Sequence, residues 1–207
     1  MINLMEWLKQ VPEYRFIPLF ETNENLQVET RVVAKSERML LKRNRTMENA
    51  VIAIVESGMN KEEWQGLFYI MGKGELENFC LMYIGKTEKK GTKNPISENI
   101  KNIRTNKGKF ARWGDGNQYH IGDLSQVLFK FKSYQQPAKK YIRWAEAMFQ
   151  SFDPPILKEQ INLYLAPWYS YSKGPAGLVC SLPAVEKELI SIASVQFRET
   201  LLNVDGV

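Results

Sequence analysis

Residues 66–85 read GLFYIMGKGELENFCLMYIG. Two apolar runs, 67–71 and 79–84, each carry a tyrosine, and Gly72-Lys73-Gly74-Glu75 between them is a turn sequence. The spacing predicts two neighbouring strands joined as a hairpin. The chain then turns basic: from 86 to 112, nine Lys and Arg stand against Glu88 and Glu98, although the formal net charge of all 207 residues is only +5. Positive charge is therefore gathered directly behind the hairpin, which suits a polyanion and above all phosphate.

Hydrophobic residues at 44% and charged residues at 25% are the balance of a globular chain with a real core, and exclude a disordered one. Cys80 and Cys180 match no zinc spacing and make no disulfide scaffold. No apolar run has the length of a membrane span and MINLMEWLKQ is not a signal peptide, so no membrane partner and a cytoplasmic location are expected.

Outward from the hairpin, the expected elements alternate in type. Residues 3–10 read as a short helix, and 15–20 and 26–33 as strands. A helix is expected from an N-cap at Ser36 to about Gly58, with the basic run KSERMLLKRNR on a solvated face or along a nucleic-acid backbone. Pro95 introduces a further helix at 96–103. Val127, Phe129 and Phe131 alternate with Lys130 and Lys132, which predicts a half-exposed strand over 126–134. A helix is expected over 138–152, a strand over 161–168 and a last helix over 183–197. The fold class is α+β.

The paired tyrosines resemble the GIY-YIG nuclease family, whose pattern is G-[IL]-Y, a spacer of roughly ten residues, and Y-[IV]-G on the neighbouring strand. Tyr83-Ile84-Gly85 matches the second half. Gly66-Leu67 is followed by Phe68, so Tyr69 stands for the first tyrosine; alternation lets only one of Phe68 and Tyr69 face a site. The family also carries a metal-binding glutamate in an E-x-x-L-I helix, often followed by an asparagine. Glu186-Lys187-Glu188-Leu189-Ile190 and Asn203 reproduce that setting. Helical periodicity independently puts Glu186 on the apolar face of Val185, Leu189 and Ile190, where a carboxylate needs a partner. Glu146, toward the polar edge of its own helix, is the rival.

The resemblance covers about 66–113 and 161–203. It implies a GIY-YIG-like domain over 61–207, a small antiparallel sheet flanked by helices, with an insertion at about 114–160 and an N-terminal α+β addition at 1–60 that contacts DNA. It further implies a metal-dependent DNA endonuclease, of the type II restriction or the repair kind. Glu186 would hold Mg2+, with Mn2+ as a substitute. Tyr69 and Tyr83 would orient the attacking water or take its proton, with Lys86 beside them. Either Arg104 or Arg112 would clamp the phosphate. Lys89, Lys90, Lys93, Lys107 and Lys109 read as phosphate contacts, Trp113 as a ring able to stack on a base, and Asn203 as a further contact. His120, the single histidine, has no spacing signal and reads as a structural or surface residue, with a general-base role as the alternative.

Double-stranded DNA is the expected partner, RNA offers the same phosphate chemistry, and a two-fold homodimer would suit cleavage of both strands. Two other classes compete. One is a noncatalytic DNA-binding module that has lost the arginine; the other is a structural or protein-interaction module with a merely solvated basic loop.

Overall fold

The computed structural model describes residues 3–33, 37–131 and 136–203. In chain order the elements are α1 (Leu4–Gln10), β1 (Arg15–Pro18), β2 (Thr30–Val33), β3 (Arg38–Leu41), α2 (Arg45–Met59), β4 (Trp64–Lys73), β5 (Cys80–Glu88), α3 (His120–Phe129), α4 (Lys139–Met148), β6 (Phe149–Phe152), β7 (Pro155–Leu157), β8 (Ile161–Tyr169) and α5 (Leu182–Gln196). The main sheet is antiparallel with order β1-β8-β4-β5, and β2-β3 and β6-β7 form two small hairpins. This is a mixed fold, with helices flanking small antiparallel sheets.

Both faces of the main sheet are covered, so β8 is buried along its whole length and β4 nearly so. Alternation divides the side chains between two cores. Phe68, Ile70, Tyr164, Ala166 and Trp168 pack against α1 and α5 through Leu4, Leu8, Val185 and Leu189. Leu67, Tyr69, Met71, Leu163 and Leu165 face the other way, toward Val51 and Val55 of α2, Ile121 and Leu124 of α3, and Tyr141 and Trp144 of α4. The N-terminal 60 residues thus supply an edge strand and a covering helix to the same sheet as the tyrosine hairpin. No helix among the described residues is long and apolar enough to cross a membrane.

Four expectations are corrected. Ser36 lies outside the described residues, and the helix expected from it begins at Arg45, because the Asn44 side chain accepts from the Thr46 and Met47 amides. The run before it pairs as β3 with β2 and buries Leu40 and Leu41. Residues 96–103 form turns rather than a helix, held by the Ile100 and Lys101 amides on the Ser97 carbonyl. Residues 126–129 belong to α3, whose buried Ile121, Leu124 and Leu128 follow helical spacing; a short alternating window fits either period, and the helix stops at Lys130 in the left-handed region. The helix expected over 138–152 ends at Met148, and its last residues form β6.

The outer edge of β5 is sealed by the chain end. Thr200 Oγ1 donates to the Leu81 carbonyl and the Leu202 amide to that of Met82. Asn203 acts as a substitute strand residue: its Nδ2 donates to the Ile84 carbonyl and its Oδ1 accepts from the Ile84 amide, both at 2.8 Å. Ile84 is fully buried, so losing both partners leaves a backbone donor and acceptor unsatisfied. Asn203→Ala is expected to cost about 1–3 kcal/mol, read as a lower urea midpoint with an unchanged slope; an unchanged midpoint would show that the amide contributes nothing.

Candidate functional site

The register of β4 and β5 sets Tyr69 directly opposite Gly85. A Cβ at Gly85 would lie 2.6 Å from the Tyr69 ring and hydroxyl, so the glycine exists to let that ring lie across its backbone. Phe68, on the other face, stacks with Trp7 and Tyr164. Regular pairing continues to Met71 opposite Tyr83, so Tyr83, two residues before Gly85, shares the face of Tyr69, with ring centroids 6.4 Å apart; the register shifts only beyond that pair, between Met71 and Gly72.

These tyrosines open into a cleft of roughly 810 Å3 whose walls also include Lys86, Arg112, His120 and Glu186, with Lys90 and Lys93 at its exposed rim. Lys86 Nζ stands 2.9 Å from Glu88 and 3.7 Å from Glu186. Burial raises the Glu186 pKa above the ordinary carboxylate value; the Lys86 ammonium works against that rise and the Glu88 charge adds to it.

Arg112 reaches the cleft from an unusual backbone. Phe110, Ala111 and Arg112 all have positive φ, at 25°, 50° and 73°. Left-handed turns of non-glycine residues cost about 1–2 kcal/mol per residue and persist only where the surroundings impose them. Here the Ala111 amide donates to the Asn99 carbonyl, and buried Thr87 donates to the Ala111 carbonyl at 3.0 Å. Arg43, itself buried, donates to the Trp113 carbonyl, pairs with Glu48 at 2.6 Å and lies over the Phe110 ring. The Arg112 guanidinium lies over Tyr119 and forms no ion pair with any described residue.

Behind the tyrosines sits His120, buried among Trp113, Trp144, Tyr83 and Tyr69. Its Nε2 is 2.9 Å from Tyr69 Oη and its Nδ1 is 2.9 Å from Tyr141 Oη. Burial, with Arg112 and Lys140 nearby, holds the imidazole pKa well below its usual value, so the ring is neutral. Burial likewise holds the Tyr69 hydroxyl far above the ordinary phenol value, with Arg112 opposing.

Of the residues singled out in the sequence, Tyr69, Tyr83, Lys86, Arg112 and Glu186 are brought together, with Lys90, Lys93 and His120. The others are not among the cleft walls. Arg104 is bound by two nitrogens to Glu56 and stands 68% exposed. Lys107 and Lys109 are paired with Glu48 and Glu98, and Lys89 donates to the Lys61 carbonyl beside a neighbouring cavity. Trp113 cannot stack on a base, because its ring is fully buried against Tyr69 and His120. The Asn203 amide is spent on Ile84. Glu146 is exposed on α4 and does not line the cleft. Arg43 and Tyr141 carried no sequence signal as site residues: the first lies in a run of surface-like charges, and the second on the apolar face of its helix.

No group of three or more His, Cys, Asp or Glu among the described residues could hold a metal ion. The cleft carboxylates are Glu88, Glu98 and Glu186, of which Glu186 is the half-buried one; one or two carboxylates in an open cleft suit Mg2+, which keeps most of its waters and takes the remaining oxygens from substrate. No model of a known protein family matches the chain, and neither does any curated protein or solved structure.

Because the folded-state pKa of Glu186 is raised, its stabilising contribution is complete below the unfolded carboxylate pKa and is lost as pH rises through the folded one. Glu186→Gln without metal is therefore expected to be more stable than wild type at pH 7, with the gap closing as pH falls toward 4. Melting temperatures across that range check it, and a variant less stable at pH 7 would mean that the Lys86 pair outweighs the burial.

Proposed function

We propose that the chain is a metal-dependent endonuclease acting on DNA, with a GIY-YIG-like centre. The observation that carries this reading is the convergence of Tyr69, Tyr83, Lys86, Arg112 and Glu186, drawn from two strands, a strained loop and a helix, on one open cleft. The two tyrosines stand on neighbouring strands, as the resemblance requires, and the glutamate is on the helix of the E-x-x-L-I setting.

Each residue has a chemical task in phosphodiester hydrolysis. Arg112, with no carboxylate partner among the described residues, is available to the non-bridging phosphate oxygens through its planar donor fork. Lys86 can move between Glu88 and the substrate. Tyr69 and Tyr83 orient the attacking water, and Tyr69 takes its proton as its own passes on to His120. Lys90 and Lys93 meet the backbone at the rim, which positions a duplex without reading its sequence. Glu186 would hold a Mg2+ or Mn2+ ion, which when bound supplies Lewis-acid stabilisation of the phosphate. A restriction enzyme and a repair nuclease share this chemistry.

A second reading, a DNA-binding module without catalysis, is favoured by the lack of any group of three metal-ligating side chains among the described residues. It predicts salt-dependent binding without cleavage.

Supercoiled plasmid and labelled duplexes incubated with Mg2+ separate the two. Wild type is expected to nick or cut, and Glu186→Gln to bind without cutting. Arg112→Ala should fall about 10²–10³-fold in rate, the usual loss for one donor to a developing oxyanion, while Arg104→Ala stays near wild type. Binding without cleavage by wild type would leave the second reading; equal losses at Arg104 and Arg112 would refute the arginine assignment.

A further inference from the structure

Behind the cleft lies a second, smaller cavity of roughly 250 Å3, walled by Tyr141, Asp123, Gln118 and Lys140, with Arg112 between the two spaces. The side chains of Tyr69, His120 and Tyr141 run from one space to the other, and both links of that chain are 2.9 Å long. We propose that Tyr69, His120 and Tyr141 form a proton relay, which takes the proton of the attacking water out of the cleft and stores it at Asp123 in the rear cavity. This deepens the hydrolytic reading above and rests on it.

The relay follows from the hydrogen count. A neutral imidazole offers one N–H and one lone pair, so two flanking hydroxyls give the chain a direction. Tyr141 and Asp123 line the same rear cavity, and there the carboxylate charge adds to the burial that raises the Tyr141 hydroxyl pKa, which favours the Tyr141 O–H pointing toward it. Tyr141 oxygen then accepts from Nδ1–H, and Nε2 is left to accept from the Tyr69 O–H. The charged groups around the ring agree. Burial of the ring does most to disfavour an imidazolium, and Lys140 from α4 and Arg112 from the loop add to it. Tyr83 and Glu186, on the cleft side, oppose a lasting tyrosinate at Tyr69. Neither Tyr69 nor His120 can therefore keep a charge, and the proton has to pass through.

The hops balance. As the water oxygen bonds to phosphorus, its O–H bond breaks and the proton joins Tyr69 Oη. The original Tyr69 proton moves to Nε2, the Nδ1 proton to Tyr141 Oη, and the Tyr141 proton to the Asp123 carboxylate, directly or through a water. The leaving oxygen takes a proton from solvent in the open cleft. When product departs the hops reverse, and Tyr69 releases the stored proton to cleft solvent. Asp123 suits a transient store, because burial raises its pKa above the ordinary carboxylate value while the Gln118 amide, donating at 2.8 Å, and the nearby Lys140 and Arg112 charges still support the charged form.

His120 is the single histidine of the chain, so nitrogen NMR of protein carrying labelled histidine reads its tautomer without assignment and without substrate. Wild type should show a protonated Nδ1, a bare Nε2 and no titration between pH 8 and pH 5, and Tyr141→Phe should shift the ring toward Nε2–H. An Nε2–H ring in wild type, or one charging near pH 6.5, overturns the relay. In single-turnover cleavage, Tyr141→Phe and Asp123→Asn should slow the rate about 10- to 100-fold, the usual effect of losing an outer hydrogen-bonding partner, with DNA affinity unchanged. Wild-type rates in both variants would also overturn it. The two failures are distinguishable: if wild type cuts no DNA, the nuclease reading falls, whereas the tautomer still decides the direction of the chain.

Discussion

The buried guanidinium of Arg43 is the interaction on which the front of the molecule depends. A buried charge stripped of its partners typically costs about 3–5 kcal/mol, so Arg43 dictates where its partners must be. They come from two places: Glu48 on α2, and the long loop between β5 and α3, which brings Asp115, the Trp113 carbonyl and the Phe110 ring. Arg31 of β2 also pairs with Asp115 and extends the same network. The N-terminal segment is in this way fastened to the loop that turns left-handed and delivers Arg112. The strain of three consecutive positive-φ residues is tolerated because Arg43, Thr87 and Asn99 hold the turn from three sides.

Behind that loop the sheet does the positioning. Strand alternation sends Phe68 into one core and Tyr69 into the other, and the regular register that sets Gly85 opposite Tyr69 and Tyr83 opposite Met71 puts Tyr83 on the same face. Gly85 supplies the space in which the Tyr69 ring lies. Tyr69 is consequently as buried as any core residue while its hydroxyl borders the cleft. A deeply desolvated phenol is poor at holding charge, and hydrogen bonding to an equally desolvated imidazole is the physical answer to that limitation.

The parts legible in the sequence were those fixed by local pattern. β4, β5, β8 and α5 announced themselves through apolar runs, turn residues and a proline near the helix start, and each formed within a few residues of its expected bounds. Strand alternation required that only one of Phe68 and Tyr69 face a cleft, and the resemblance chose Tyr69. What stayed hidden depended on distant partners. Arg43 sits among charges that look solvated, and only the fold reveals that it is buried. Choosing Arg112 over Arg104 requires a backbone conformation that Phe110-Ala111-Arg112 would not adopt unaided. His120 had no informative neighbours in sequence, because both of its partners lie 21 or more residues away. The strand misread over 126–131 had the opposite cause, a local pattern too short to choose between two periods; 132–134 lie outside the described residues.

The chain end that lies along β5 also bears on quaternary symmetry. With Thr200, Leu202 and Asn203 occupying Leu81, Met82 and Ile84, the first half of that edge offers no ladder to a second copy. Joining sheets edge to edge along the whole of β5, a cheap way to build a two-fold assembly, requires 200–203 to peel away. Two copies acting on opposite strands of one duplex can instead meet through loops or helix faces. The angle between their clefts would then be set by side-chain packing rather than by the fixed spacing of a shared ladder.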